Sequence, residues 1–588
     1  MKKGASKGVI RRTLSYISLC ALLLLSSVPS AYANNTKVGG ANLALLGSGY
    51  DDEGQLGDGG GFHSDPVPPK QFVLPSGVTI KKAFFANEEA YANPYVITND
   101  DRVFGAGINT AGQLGDGTFV NRDTPVQMQL PAGEVPIDIS SDGYAAYVVT
   151  SSGKIFFTGA DPTPDLITQN GQYQTASPIQ IAIPGGHKAV QIEATQYHYA
   201  ALMDNGDVYT GGYNLNGQLG NGTTTSAKIT KFQLPVGAQV AQMLVTHNNS
   251  KTIVITTDGR VFASGYNYNG ELGNGTSAAD TLTPAQFTLP AGQVASRIIW
   301  TRASTTVYVL TSSGRLFGAG NNFYGALANG TKTTPVASPV ELATPDGSKI
   351  TDAIQDTYTI HIITDSGKVY AAGRNGNGEL GIGSLTDATA LTQANLPAGE
   401  VPVKFGFGNF YYPTVFVLTQ SGNVYGTGHN DYGQIGDNSQ VDKNVFTKMQ
   451  LPSGTQAKQI MASDEGVQVL TTDGKVFAVG VNDSNWLGVD TAPGNIIKVP
   501  MQLSFPTNFT ASALMMGFDS KFVLGAFTTT SSPSPSPTPT GSTPPESTSE
   551  LTNTGATVVA TSLIACVLFV SSFLVYRKRS RLYKLYRS

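Results

Sequence analysis

Nine copies of a Gly- and Asn-rich motif, a hairpin signature ahead of most of them, and a chain that starts and stops midway through a unit predict an all-β fold, a closed β-propeller. The motif opens at Gly49, Gly107, Gly159, Gly212, Gly265, Gly320, Gly373, Gly428 and Gly480, at intervals of 52 to 58 residues. Two residues on stands an amide or acid: Asp51, Asn109, Asp161, Asn214, Asn267, Asn322, Asn375, Asn430 or Asn482. A Gly and then Leu or Ile usually follow, as in Gly270-Glu271-Leu272; the copy at Gly159 keeps only its Gly and Asp.

The hairpins come next. "VITTDGRVFASG" at 254–265 alternates apolar residues on both sides of Asp258-Gly259, and 309–320, 362–373, 417–428 and 469–480 repeat the pattern. An Asx-Gly or Ser-Gly turn between alternating runs is a strong local sign of a β-hairpin. Leu-Pro pairs such as Leu234-Pro235 and Leu289-Pro290, each followed by a further apolar run, complete three or four short strands per unit. Residues 41–49 read as the strand that follows a hairpin turn, and 512–527 as the strands that precede one. The two halves complete one blade, which a ring needs and an open solenoid does not.

The unit "DGRVFASGYNYNGELGNGT" is similar to the regulator-of-chromosome-condensation repeat, a propeller blade, and the resemblance covers about residues 41–527. It implies seven to nine blades, since family members typically form seven and nine units are counted here. Nuclear members of that family act on a small GTPase and on chromatin, whereas exported relatives act as protein binders.

Composition narrows the function. Setting aside five basic residues in 1–33 and six in 556–588, 26 of the 37 lysines and arginines face all 41 acidic residues, a net charge of −15 for the segment between. Such a body repels phosphate backbones, so no nucleic-acid partner is expected. The only two cysteines, Cys20 and Cys566, lie in apolar terminal segments, leaving the body without disulfides or cysteine–metal sites.

The ends read as addresses. Residues 1–33 have a basic start, an apolar run over 14–25 and the small residues Ala31 and Ala33 ahead of an expected cut before Asn34, the pattern of a signal peptide. Residues 528–550 are a Pro/Ser/Thr-rich linker suited to extended polyproline geometry. Residues 556–576 are uncharged and long enough to cross a bilayer, and 577–588 form a basic tail of the kind kept on the cytoplasmic side. Just before the span, Leu551-Thr552-Asn553-Thr554-Gly555 resembles the cell-wall sorting signal read by sortases. The resemblance implies cleavage between Thr554 and Gly555 with Leu551 as part of the recognition motif; Thr552 departs from it, standing where the family has Pro. The alternative is a permanent single-span anchor. Either way the chain is expected to be exported and displayed at the cell surface.

A motif present in every unit cannot mark one unique site, so it is read as scaffold: Gly for positive φ, Asn or Asp bonding its own loop, Leu anchoring into the core. No catalytic residues, cofactor or metal are expected. Gly105-Ala106-Gly107 lacks a following helix, and the six histidines form no HExxH pattern. Asp51-Asp52-Glu53 with Asp58 could attract calcium, but the spacing fits no calcium loop and a solvated turn is expected. What varies between units is the loop tip, which carries Tyr50, Tyr213, Tyr266, Tyr268, Phe323, Tyr324, Tyr432 and Trp486. Aromatic rings of this kind concentrate at recognition hot spots. If the tips share a rim, the units of Gly265, Gly320, Gly428 and Gly480 present an aromatic arc; the competing reading packs these rings on neighbouring loops. A surface-displayed binding or adhesion protein with a protein or glycan partner is expected. The alternative is an exported lyase or hydrolase acting on wall polymers or small molecules.

Overall fold

A computed structural model of the chain describes residues 35–86, 93–160, 173–195, 197–246, 250–301, 304–408, 413–463, 466–482, 487–489, 495–516 and 520–528. The terminal segments 1–33 and 529–588, with Leu551, Thr554 and Gly555, therefore lie outside the described residues, as does Trp486. Among the described residues, no helix is long and apolar enough to cross a membrane.

Thirty-six strands and one 3-10 turn at Pro184–Gly186 make up the described structure. Seven sheets have four strands each in simple antiparallel order, and one has eight. A typical unit runs Val240–Thr246, Lys251–Thr256, Val261–Gly265 and Thr281–Phe287. Its second and third strands are buried along their whole length, because strands flank them and sheets cover both faces. The fourth strand alternates between exposed and half-buried residues until Phe287.

The eight-stranded sheet joins the two ends of the body. The strand Asn35–Asp51 is longer than the 41–49 expected from sequence. Its first part pairs antiparallel with Ile80–Ala86, from Asn35↔Ala86 to Leu43↔Ile80. Its second part pairs with Ser520–Phe527, from Ala44↔Gly525 to Gly49↔Ser520, and with His63–Gln71. The N-terminal strands thus supply the third and fourth strands of the sheet begun by Phe509–Met516 and Ser520–Phe527. Alternation alone hides the extension, since Gly39-Gly40 interrupts the apolar pattern ahead of it.

The core lies between sheets rather than within them. Tyr147 and Phe157 of one unit pack with Tyr199 and Tyr209 of the next, and Val254 and Phe262 pack with Phe232 of the unit before. Each consecutive pair of units shares such a cluster, and the succession returns to its start: Leu45 and Phe522 of the last-completed sheet pack with Phe85 and Phe104 of the first. Burying an aromatic side chain in this way contributes roughly 1.5–3 kcal/mol.

Candidate functional site

The repeated loop is built from its hairpin upward. Except for Gly107, register pairs the opening Gly with the start of the preceding strand, as in Lys251↔Gly265 and Thr359↔Gly373. All nine opening glycines have φ between 101° and 126°. A Cβ at Gly265 would lie 2.2 Å from the Ser250 carbonyl oxygen, so both the torsion and the close approach require glycine. The amide two residues on is fully buried. Asn267 Oδ1 accepts the Leu272 amide at 2.9 Å, and its Nδ2 donates to the Thr276 carbonyl at 3.0 Å. Asn109, Asn214, Asn322, Asn375 and Asn430 repeat both bonds. The Leu or Ile that follows is at most 1% exposed in every described unit.

Among the described residues the loop also stitches one sheet to the next, which a single motif read alone does not reveal. Gly117 N donates to Ala176 O, Gly222 N to Leu282 O, Gly275 N to Ala337 O and Gly383 N to Asn444 O, all at 2.7–2.9 Å. Each acceptor lies in the fourth strand of the following unit, close to the residue that pairs with that unit's opening Gly. The loops therefore line one face of the body in sequence order.

A second buried position in the motif is set by its contacts rather than by its place in the repeat. In six units the residue six after the opening Gly is an amide or acid of one length: Gln55, Gln113, Gln218, Glu271, Glu379 or Gln434. One of its oxygens accepts a loop amide, as Gln218 Oε1 does from Asn216 and Glu271 Oε2 from Asn269. Where Glu replaces Gln, a cation sits beside it: Lys251 Nζ lies 3.2 Å from Glu271 Oε1, and Arg374 Nε lies 2.9 Å from Glu379 Oε1. Gln against Glu in "NGQLG" and "NGELG" was the available signal.

Of the four units expected to carry an aromatic arc, those of Gly265 and Gly320 present exposed rings, the Gly428 tip is half-buried, and Trp486 of the Gly480 unit lies outside the described residues; the Gly212 tip adds a further exposed ring. Tyr213, Tyr268 and Phe323 are exposed at 37%, 50% and 60%, with Leu215 at 72% between the first two in sequence. Tyr266 packs against Tyr268 at 5.0 Å with its ring tilted, and Phe323 meets Tyr324 edge-on at 5.0 Å. Two further rings join from the connection between the first and second strands: Tyr197 meets Tyr213 at 5.9 Å, and Tyr358 meets Tyr324 of the preceding unit at 4.9 Å. Arg374 covers the Tyr358 ring at 5.4 Å. The rings thus form three clusters, Tyr197 with Tyr213, Tyr266 with Tyr268, and Phe323 with Tyr324 and Tyr358, on the units of Gly212, Gly265, Gly320 and Gly373. The hairpin register brings residues 197 and 358 to the same face as the tips, which tip sequences alone do not show. Tyr432 is half-buried against His429 at 5.7 Å.

His429, Asp431 and Asp442 converge, with ligand atoms all within 4.8 Å of one another. His429 Nε2 lies 3.3 Å from Asp431 Oδ2. Gln434 Oε1 accepts the Tyr432 amide, which turns its Nε2 toward His429 Nδ1 at 3.2 Å. Nδ1 then accepts and Nε2 carries the proton, so the ring offers a hydrogen bond rather than a lone pair to the carboxylates. Asp442 accepts from Asn430 N and Asn377 Nδ2, a structural duty Asp387 shares by accepting from Asn375 N.

Other displaced acid–base groups are enclosed. Burial pushes Asp356 up to about 6, although the Tyr358 and Thr359 amides oppose this. Burial pushes His361 down to about 4, while its Nε2–H donates to Glu379 O at 3.0 Å. Asp51, read from sequence as part of a solvated turn, is 0% exposed, and burial pushes it up to about 7. The turn is solvated only beyond it, because Asp51 takes the inward place that Asn holds elsewhere.

The profile of the Regulator of chromosome condensation (RCC1) repeat matches residues 100–143. The chain is 25% identical over 351 residues to the ultraviolet-B receptor UVR8 of Arabidopsis thaliana, covering 59% of this chain and 77% of that protein. It is 28% identical over 335 residues to the E3 ubiquitin-protein ligase HERC2 of Homo sapiens, covering 56% of this chain but 7% of that protein. Among solved structures, yeast RCC1 (Prp20) bound to Kap60 matches with a TM-score of 0.47 and 17% identity, covering 90% of this chain and 97% of that one. Human WBSCR16 matches with a TM-score of 0.44 and 17% identity, covering 73% and 100%. The profile and sequence matches, with the repeated four-stranded sheets, support an RCC1-like repeat propeller.

Proposed function

We propose that the protein is a surface-displayed binding or adhesion module, a closed nine-bladed propeller whose loop face recognises an extracellular protein or glycan. The observation that carries the binding reading is the set of exposed rings Tyr197, Tyr213, Tyr268 and Phe323, each in contact with another ring, with half-buried Tyr358 against Tyr324. Exposed, mutually braced rings offer large contact area at little cost in side-chain freedom. Similarity to repeats in a receptor and in a ubiquitin ligase supports a scaffold adapted to binding. The enclosure of Asp356 and His361 favours binding over turnover.

The tether follows from the sequence of the C-terminal segment. The last described residue, Thr528, donates to Asn508 O at 2.9 Å, at the opposite end of its sheet from the Gly49 loop. Residues 1–33 direct export, and a sortase joins Thr554 to the wall; a permanent span over 556–576 is the second reading. Mass spectrometry of wall digests tests this: a peptide ending at Thr554 with a wall fragment attached supports sorting. An intact chain with its basic tail, recovered in detergent, rejects it. Retention of neighbouring cells or host surface proteins without turnover tests the binding reading, and calcium- or zinc-dependent glycan cleavage would reject it.

A further inference from the structure

The loop of the Gly49 unit has the conformation of its counterparts through residue 60. Gly54 N donates to Asp51 O as Gly112 N does to Asn109 O, and Gly59 N reaches Asp123 O as Gly117 N reaches Ala176 O. Asp58 Oδ1 accepts Gly60 N at 2.8 Å, as Asp116 Oδ1 accepts Thr118 N at 3.0 Å. Asp51 Oδ1 accepts Leu56 N at 2.7 Å, the bond that Asn Oδ1 makes elsewhere. Asp51 Oδ2 therefore takes the place of the amide nitrogen. In the Gly107 unit that nitrogen donates to the side chain of residue 116 and the carbonyl of residue 118, at 3.0 Å each. The equivalents here are Asp58 and the Gly60 carbonyl.

A buried oxygen thus faces acceptors in a pocket built for a donor, and Asp51 Oδ2 has no hydrogen-bond partner. Asp52, Glu53 and Asp123 add negative charge around it, and none of these acids forms an ion pair with a described lysine or arginine. Arg122, the neighbouring cation, is held by Asp116 at 2.6 Å. An apolar surrounding penalises such an arrangement unless a positive charge resolves it. We propose that this loop binds a hard divalent cation, calcium above all, through Asp51 Oδ2, the Asp58 carboxylate and the Gly60 carbonyl, with water completing the shell. Two carboxylates and a backbone carbonyl suit calcium, whose flexible all-oxygen coordination tolerates an irregular loop better than the strict octahedron of magnesium. Three ligands from one short loop place the affinity near that of extracellular modules, roughly 10⁻⁴–10⁻³ M.

The test uses the full purified chain, isothermal calorimetry with calcium chloride, and thermal unfolding with and without about 5 mM of the salt. Asp51→Asn installs the residue that the Asn-bearing units carry, so it should fold and need no cation. Calcium should raise the wild-type melting temperature by roughly 1–2 °C with a measurable binding heat. Asp51→Asn should lose both responses and melt no lower than the wild type without calcium. Asp58→Asn, which removes a charge but keeps an acceptor, should weaken binding about tenfold or more. A wild type blind to calcium would overturn the proposal, as would an equal response in Asp51→Asn. So would stabilisation of Asp51 by acid alone, with no competition from calcium.

Discussion

Lys251 Nζ lies 3.2 Å from Glu271 Oε1, and both side chains are 0% exposed. Burial pulls the ammonium below its ordinary range, with Glu271 and Asp280 opposing, and the Tyr266 ring covers it at 5.5 Å. In the Gly428 unit the same two positions hold Thr414 and Gln434, joined by a hydrogen bond of 3.3 Å. The pair is thus a charged version of a neutral contact. Removing one partner strands the other, so Lys251→Ala or Glu271→Ala should each cost about 3–5 kcal/mol in chemical denaturation. The double variant Lys251→Thr with Glu271→Gln should recover most of that loss. A double variant no more stable than the singles would show that the charges do not act as a unit.

The loop amide predicts a second, independent loss. Asn267→Ala leaves the Leu272 amide and the Thr276 carbonyl without their partner inside a buried turn, at a cost of about 1–3 kcal/mol. Gly265→Ala forces a Cβ onto the Ser250 carbonyl at φ 116° and should cost more. Urea midpoints for the two variants check the order.

The pH dependence has a defined sign at His361. Its folded pKa of about 4 lies below the ordinary value of 6.5, so the unfolded chain binds more protons between the two. Its contribution is complete above pH 6.5 and is lost as pH falls toward 4, by roughly 3 kcal/mol. His361→Gln should flatten this part of the profile relative to wild type. Asp356, raised to about 6, acts in the opposite direction and is common to both proteins, so the difference isolates His361.

The strand Asn35–Asp51 predicts what truncation does. Deleting residues 35–49 would strip a partner from three strands, Ser520–Phe527, Ile80–Ala86 and His63–Gln71. Unpaired edges recruit other chains, so the truncated protein should aggregate and lose cooperative unfolding. Deleting 35–39 alone removes only the pairing with residues 82–86 and should leave a soluble protein with a lower melting temperature.

The repeat made much of this architecture legible. Period, Asx-Gly turns and the half-units at 41–49 and 512–527 sufficed because each unit writes the same local rules. Asn267 and Leu272 were readable for the same reason. Tyr358 was not, since its place beside Tyr324 depends on a contact between successive units. Nor was the burial of Asp51, because an acidic run in isolation has the composition of a solvated turn. Lys251 looked like an ordinary strand residue until its partner twenty positions on was seen to need a cation.

On the proposed function, the aromatic rings of the loop face form the binding surface. The most direct measurement compares the full chain with a triple variant, Tyr213→Ala, Tyr268→Ala and Phe323→Ala, by biosensor against arrayed glycans and surface proteins of neighbouring and host cells. All three rings are exposed, so the variant should melt within a few degrees of wild type. Saturable binding by the wild type, weakened at least tenfold in the variant, is the predicted result. Equal binding by the two proteins would contradict the account.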